Sequence, residues 1–277
     1  VGKNSVYTKE IGQNIRFIES NIYDFTKYES ILDENSIVIY AAGTINATHP
    51  FSQIDQDIQQ NYLSFIELLN ILESHKIQQF IFLSSAGTVY GNKGGRYSES
   101  DLLEPINIYG LQKMYFEHLI RIKHAQSQMF PFLIFRVSNP YGGYQDPQKT
   151  QGIIPILINK SINQEPIDLW VDLSTRRDYI YITDLLDNIY EMALLDVGKN
   201  EIYNLASGVS TTLQDVIVEV EKYTGHSVKV NFRSTEILTI KSTEFDVSKL
   251  INIVKTPPTV GLSDGISMLV RDIKERQ

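Results

Sequence analysis

Three apolar runs of strand length mark the first half of the chain: IVIYAAG at 37–43, FIFLSS at 80–85 and FLIFRVS at 132–138. Each is hydrophobic almost throughout rather than alternating, as parallel strands covered on both faces must be. Between them the spacing shifts to a helical period, predicting helices from about Asp55 to Lys76 and from about Tyr109 to Ala125. This alternation predicts a doubly wound α/β sheet. Such sheets bind ligands beyond the carboxyl ends of their strands, where AAGT, SSAGT and SNPYGG fall. In the first helix Ile58, Tyr62, Phe65, Leu69 and Leu72 form an apolar stripe, with Leu63, Ile66 and Ile71 on other faces. That breadth predicts contact on two sides, from the core alone or from a second copy of the chain in a homodimer. Past Tyr141 the loops lengthen and short segments such as EIYNLAS (201–207) and SVKVNF (227–232) flank helical patterns, predicting a second, smaller lobe.

Composition narrows the function. The 277 residues, 42% of them hydrophobic, suffice for one or two domains. A net charge of −8 with no block of like charge argues against nucleic acid as the main partner. A phosphorylated small molecule stays open, since a few placed arginines can hold it. With no cysteine, thiol and disulfide chemistry are absent and the cytoplasm is the expected compartment. The five histidines show no metal-ligand spacing, so no metal is expected. No apolar run approaches the ~18 residues of a membrane span, and no signal peptide is visible.

The candidate chemistry starts at Tyr109 and Lys113, four apart in YGLQK at a helix start and so on one face. A lysine ammonium beside a phenol favours the phenolate and makes it a usable general base. Alone the pair means little: with 16 tyrosines, chance supplies such a spacing. Its company changes that. SSAGTVYG lies upstream at one strand end, RVSNPYGG (136–143) downstream at the next, and RRDYIYITD (176–184) comes after both.

This ordered set resembles the extended short-chain dehydrogenase/reductase family, its nucleotide-sugar epimerases and dehydratases, and is closest in pattern to UDP-glucose 4-epimerases. The resemblance runs from about Ile15 to the C-terminus. It implies NAD as cofactor, a Rossmann-like domain over 1–140, and a nucleotide-sugar lobe over mainly 141–277, with about 177–205 returning to the first domain. Tyr109 would be the acid/base; Lys113 would hold the nicotinamide ribose and depress the Tyr109 pKa. Ala41, Ala42 and Gly43 would pass beneath the pyrophosphate, small so that backbone can approach closely. Asn21, with Ile22 beside it, stands where the family usually has an Asp for the adenine amine, and Asn61, Ser84 and Val137 fall at further cofactor positions. For the substrate, Asn139 resembles the diphosphate contact, Arg177 and Arg233 with Glu236 the clamp on diphosphate and ribose, and Trp170 the aromatic beside the base. The plainer readings are a salt bridge from Arg177 to Asp178 or Asp184, a helix-face amide for Asn61 and a core position for Trp170.

The sequence also departs from the family. Ala86 occupies the position of the catalytic Ser/Thr. Thr88, on the same side if the chain stays extended, is the first candidate for the lost hydroxyl and Ser85 the second. Gly87 and Thr88 stand where sugar dehydratases carry acidic residues, so dehydration is disfavoured. Ile240 counts to the position whose bulk admits or excludes an N-acetyl group. No G-x-x-G-x-x-G comes after a strand. The family's first strand, glycine turn and first helix would precede Val1. Among enzymes the alternative to the epimerase is a nucleotide-sugar 4-ketoreductase; from another class it is a non-catalytic nucleotide-sugar binder that lacks the cofactor turn.

Overall fold

The apolar runs form strands in the computed structural model, which describes residues 18, 20, 24–43, 45, 50–127, 130–143, 145, 152–234 and 240–275. In chain order the elements begin with β1 (Ile37–Tyr40), α1 (Ile54–Asp57), α2 (Leu63–Ser74), β2 (Gln79–Ser85), the single turn α3 (Ala86–Val89), β3 (Arg96–Tyr97) and α4 (Ile108–Ser127). Next come β4 (Phe132–Val137), β5 (Asn139–Tyr141), α5 (Ile153–Ile162), β6 (Pro166–Leu169), β7 (Arg176–Tyr181) and α6 (Ile182–Leu194). The series closes with β8 (Glu201–Leu205), β9 (Ser210–Thr212), α7 (Leu213–Thr224), β10 (Lys229–Phe232), β11 (Glu244–Phe245), α8 (Ser248–Ile251) and α9 (Leu262–Glu275).

Contacts divide the chain into two units: residues 1–84, 107–134 and 199–201 in one, and 85–106, 135–198 and 202–277 in the other. The main sheet has the order β1-β2-β4-β8, with β1 and β2 parallel and Ile37 opposite Gln79. Every residue of β4 is buried, as its unbroken apolar run requires. This is an α/β fold built on a parallel sheet.

In the first unit α2 and α4 pack on β2 through aromatic rings. Phe65 and Phe116 stack at 3.9 Å between centroids, and Phe82 meets both edge-on. Ring pairs of this kind add directional contact to the burial of large apolar area. The helix before β2 departs from the regular pattern. Ile58–Tyr62 is a π turn, not α-helix. A π turn inserts an extra residue, so the helical faces on its two sides fall out of register with one another. Phe65, Leu68, Leu69 and Leu72 are buried, whereas Ile58, at the head of the expected stripe, is exposed. The same turn carries Asn61 inward, to 6% exposure.

In the second unit β7 pairs in parallel with β5 and antiparallel with β9, Asn139 lying opposite Tyr179 and Arg177 opposite Thr211. Leu157 of α5, Val216 and Val220 of α7, and Ile266 and Leu269 of α9 fill one core with Tyr141, Tyr179 and Tyr181. β6 and β10 form a separate parallel pair.

The π turn makes a sharp prediction. Phe65→Ala, which empties a stacked core site, should cost about 3–5 kcal/mol in denaturant unfolding. Ile58→Ala should stay within ~0.5 kcal/mol, whereas a continuous α-helix through Ile58 would make the two losses comparable.

Candidate active site

Tyr109 and Lys113 stand on the first turns of α4, which Asn107 caps by accepting the Gly110 N–H at 2.8 Å. Lys113 is nearly enclosed, at 5% exposure. Its ammonium donates to the Leu83 carbonyl at 2.8 Å, at the carboxyl end of β2. It lies 4.9 Å from the Phe82 ring centroid and 5.6 Å from that of Tyr109. Burial lowers the Lys113 pKa to about 8, and the negative charge of Glu117 opposes that fall. The structure therefore brings together the two residues that the sequence paired. Ser84 has a partner the sequence did not suggest: its hydroxyl donates to the buried Glu117 carboxylate. Ala41, Ala42 and Gly43 come directly after β1, and a Cβ added to Gly43 would meet no heavy atom of the described residues within 4 Å. Asn21 and Ile22 lie outside the described residues.

The opening of the second unit corrects one expectation. After β2 the chain does not stay extended: Ala86–Val89 is a helical turn with Ser85 at its N-cap. Thr88 is thus placed by a turn and not by strand alternation. Its hydroxyl is nonetheless distinctive, a buried Oγ1 without a hydrogen-bond partner, while Ser85 is half-buried. An orphan buried hydroxyl is costly unless a ligand completes it. Behind the turn is a polar hub absent from the sequence reading. Arg136, 3% exposed, donates to Tyr90 Oη at 2.9 Å and to the Glu99 carbonyl at 3.1 Å. Tyr90 donates to Asn204 Oδ1 at 2.6 Å, and the Asn204 amide N–H reaches Glu99 Oε1 at 2.8 Å. A charge inside the apolar run FLIFRV was the available signal for such a network.

A cavity of about 420 Å³ opens within the same unit, with Asn139, Thr175, Arg177 and Tyr179 among its lining residues. Asn139 donates to the Asp178 carbonyl at 2.7 Å. The Arg177 guanidinium is held by two backbone carbonyls, Arg176 at 2.8 Å and Ile240 at 2.5 Å, and not by the neighbouring aspartates. Asp178 instead accepts the Ser207 N–H and Asp184 those of Thr259 and Val260. Burial lowers the Arg177 pKa and lifts that of the adjacent Tyr179 phenol to about 12. Gly152 and Ile153 bring the start of α5 to the cavity wall, and among the described residues no side chain caps that helix. Gly152 has φ +87°, which favours glycine there.

Other expected positions fall elsewhere. Val137 is buried in β4. Trp170 is 55% exposed, which removes the core reading for it. Arg233 is exposed and ion-paired with Asp168 at 3.2 Å; neither it nor Trp170 lines the cavity. Ile240 is buried, and its carbonyl is what Arg177 grips. Glu236 lies outside the described residues.

Lys113 is thus buried, and Tyr109 half-buried beside it, at the carboxyl end of a parallel strand, where α/β sheets bind their ligands. The NAD dependent epimerase/dehydratase family model matches residues 2–206, and the chain belongs to that family. Among its relatives is the dTDP-4-dehydro-6-deoxyglucose reductase of Escherichia coli, 33% identical over 86% of this chain and 74% of the relative. The UDP-glucose 4-epimerase of Bacillus subtilis is 28% identical over 81% and 72%. The solved UDP-glucose 4-epimerase of Thermotoga maritima, with UDP-glucose, superposes with a TM-score of 0.90 over 99% of this chain and 90% of its own, at 22% identity. A UDP-glucuronic acid 4-epimerase from Bacillus cereus, in complex with UDP-glucuronic acid and NAD, gives 0.87 over 98% and 85%, at 26% identity.

The residues present fit an NAD ribose and pyrophosphate. An ammonium has three donors and Lys113 spends one on Leu83, leaving others for ribose hydroxyls. Among the described residues nothing stands within 4 Å of a Cβ built on Gly43, room in which a pyrophosphate can come near backbone. The buried ammonium also sets a pH dependence. Unfolded lysine titrates near ~10.4 and Lys113 near 8. Between these values the unfolded chain binds more protons, so raising pH favours the fold. Ligand-free protein should therefore gain stability from about pH 8 to 9.5, with a slope of up to ~1.4 kcal/mol per unit from this group. Urea midpoints at constant ionic strength should show the gain, and Lys113→Met should flatten it. An unchanged slope in the variant would mean Lys113 is not the group responsible.

Proposed function

We propose that the chain is an NAD-dependent nucleotide-sugar epimerase acting at C4 of a UDP-hexose. The observation that supports this is Tyr109 beside the buried Lys113 in one unit and a cavity lined by Arg177 and Asn139 in the other. Arg177 supplies the positive charge there, Asn139 a polar edge, and α5 an uncapped N-terminus that favours anions. Bound NAD would supply hydride acceptance and return at the sugar carbon. Tyr109 takes the C4 hydroxyl proton and later gives it back. Lys113 favours the phenolate and orients the ribose. Thr88, with its orphan hydroxyl, polarises the sugar oxygen in place of the residue absent at Ala86. Arg177 and Asn139 grip the diphosphate, so the 4-keto sugar can turn over without leaving. In this reading Trp170, Arg233 and Glu236 meet the base and ribose, and Asn61, Ser84 and Val137 lie along the cofactor.

One relative favours a second reading. The 33% identical E. coli protein is named a reductase of a 4-keto sugar, so a nucleotide-sugar 4-ketoreductase is the competitor. An assay of UDP-glucose and UDP-galactose interconversion without added reduced cofactor separates the two: the epimerase turns over, and the reductase consumes reduced cofactor stoichiometrically with a 4-keto substrate. Assembly as a homodimer belongs to the same proposal, because Leu63 and Ile66 of α2 and Leu111 and Ile122 of α4 are exposed apolar side chains. The cytoplasm fits a chain without cysteine in which, among the described residues, no helix is long and apolar enough to cross a membrane.

Tyr109→Phe should keep substrate and cofactor binding while lowering turnover by ~10²-fold or more; near-normal rates would remove Tyr109 from the mechanism. Arg177→Ala should weaken UDP-sugar binding by about 1.5–3 kcal/mol with NAD affinity unchanged. Calorimetric titration of both ligands checks this, and an unaltered sugar-nucleotide affinity in folded variant would leave Arg177 a purely structural role.

A further inference from the structure

Glu117 is the most deeply buried acid of the first unit among the described residues, 1% exposed, and the proposed chemistry gives it nothing to do. It sits one helical turn beyond Lys113 on α4, where its carboxylate meets β2 through Ser84. On an exposed helix a Lys with a Glu four residues later is the weaker of the two ion-pair orders, and such pairs are solvated. Here both are inside. The ammonium has the Leu83 carbonyl on one side and the rings of Phe82 and Tyr109 near it. A lone ammonium in such surroundings is strongly penalised, and one carbonyl does not offset the lost water. Glu117 is the charged side chain that acts on it, among the described residues, and does so in the direction that keeps the proton on. β2 presents the Leu83 carbonyl and the Ser84 hydroxyl; Tyr62, ahead of α2, lies against Tyr115 and Phe116 of α4. Tyr109 is the phenol that faces Lys113 from its own helix.

We propose that Glu117 is the buried counter-charge of Lys113, a positioning residue that the Ser84 hydroxyl locks in place so that the ammonium stays protonated against the Leu83 carbonyl. Ser84 then acts through Glu117, in addition to any cofactor contact its backbone makes. The carboxylate is aimed by a donor from β2 and cannot swing to solvent, so strand and helix are pinned together where the acid/base couple stands. The Lys113 charge can be followed without substrate, so this role of Glu117 stands or falls separately from the epimerase reading.

The test is nuclear magnetic resonance of the full chain with ¹³C-labelled lysine, following the Lys113 ε-carbon from neutral to alkaline pH in wild type, Glu117→Gln and Ser84→Ala. Gln keeps the shape and can still accept the Ser84 hydroxyl, so only the charge is lost. The Lys113 midpoint should fall by about one pH unit or more in Glu117→Gln, and by less, in the same direction, in Ser84→Ala. A Lys113 midpoint unchanged in folded Glu117→Gln would overturn the proposal and leave Glu117 a packing residue. If Glu117→Gln does not fold, Ser84→Ala decides alone: a lowered midpoint supports the lock, and an unmoved one refutes it.

Discussion

A lysine ammonium enclosed at the carboxyl end of a parallel strand is the constraint around which the first unit is organised. Water solvates such a charge far better than a protein interior does, so the fold must supply replacements or lose the proton. It supplies the Leu83 carbonyl directly and places the buried Glu117, the counter-charge proposed above, one turn away. Both depend on α4 sitting at a fixed height on β2. That height is set by apolar packing, the Phe65–Phe116 stack with Phe82 beneath it, and by the Ser84–Glu117 hydrogen bond. The aromatic core therefore does more than stabilise: it delivers Tyr109 and Lys113 to the strand end.

The second unit faces a different problem, how to hold the short turn after β2 in one geometry. Its answer is polar and buried. Arg136, Tyr90, Asn204 and Glu99 satisfy one another behind the turn that bears Thr88. Tyr90 stacks on Tyr97 at 4.9 Å, and Phe245 closes the cluster. Fully satisfied networks of this kind fix a unique geometry, whereas a partial one would be costly. Across the same unit the Arg177 guanidinium, which lines the cavity, is tied to two main-chain carbonyls, and no carboxylate among the described residues pairs with it. Arg233 differs in this respect, since Asp168 already offsets it.

Much of this was legible in the chain. Long apolar runs read as buried parallel strands because nothing else buries both faces of a strand, and the four-residue spacing of Tyr109 and Lys113 placed them on one face. What escaped had physical reasons. A π turn leaves no mark in hydrophobic spacing until the register slips, so Ile58 was expected to head a stripe from which it is excluded. Glu117 after Lys113 has the look of a solvated helix pair; only β2 lying over it makes it a buried acid. Thr88 was placed by assuming extended chain, and the small residues Ala86 and Gly87 instead let the backbone turn at once. Arg136 carried a readable signal, a cation within a strand buried along its whole length.

The central claim is that this chain moves hydride at C4 of a nucleotide sugar while its own residues carry only the proton. UDP-glucose bearing deuterium at C4, incubated with the protein and NAD, tests it most directly. The account predicts UDP-galactose with the deuterium still on C4, because the hydride leaves and returns without meeting solvent. Product that has exchanged its deuterium for solvent hydrogen, or sugar recovered unchanged with saturating NAD, would contradict it.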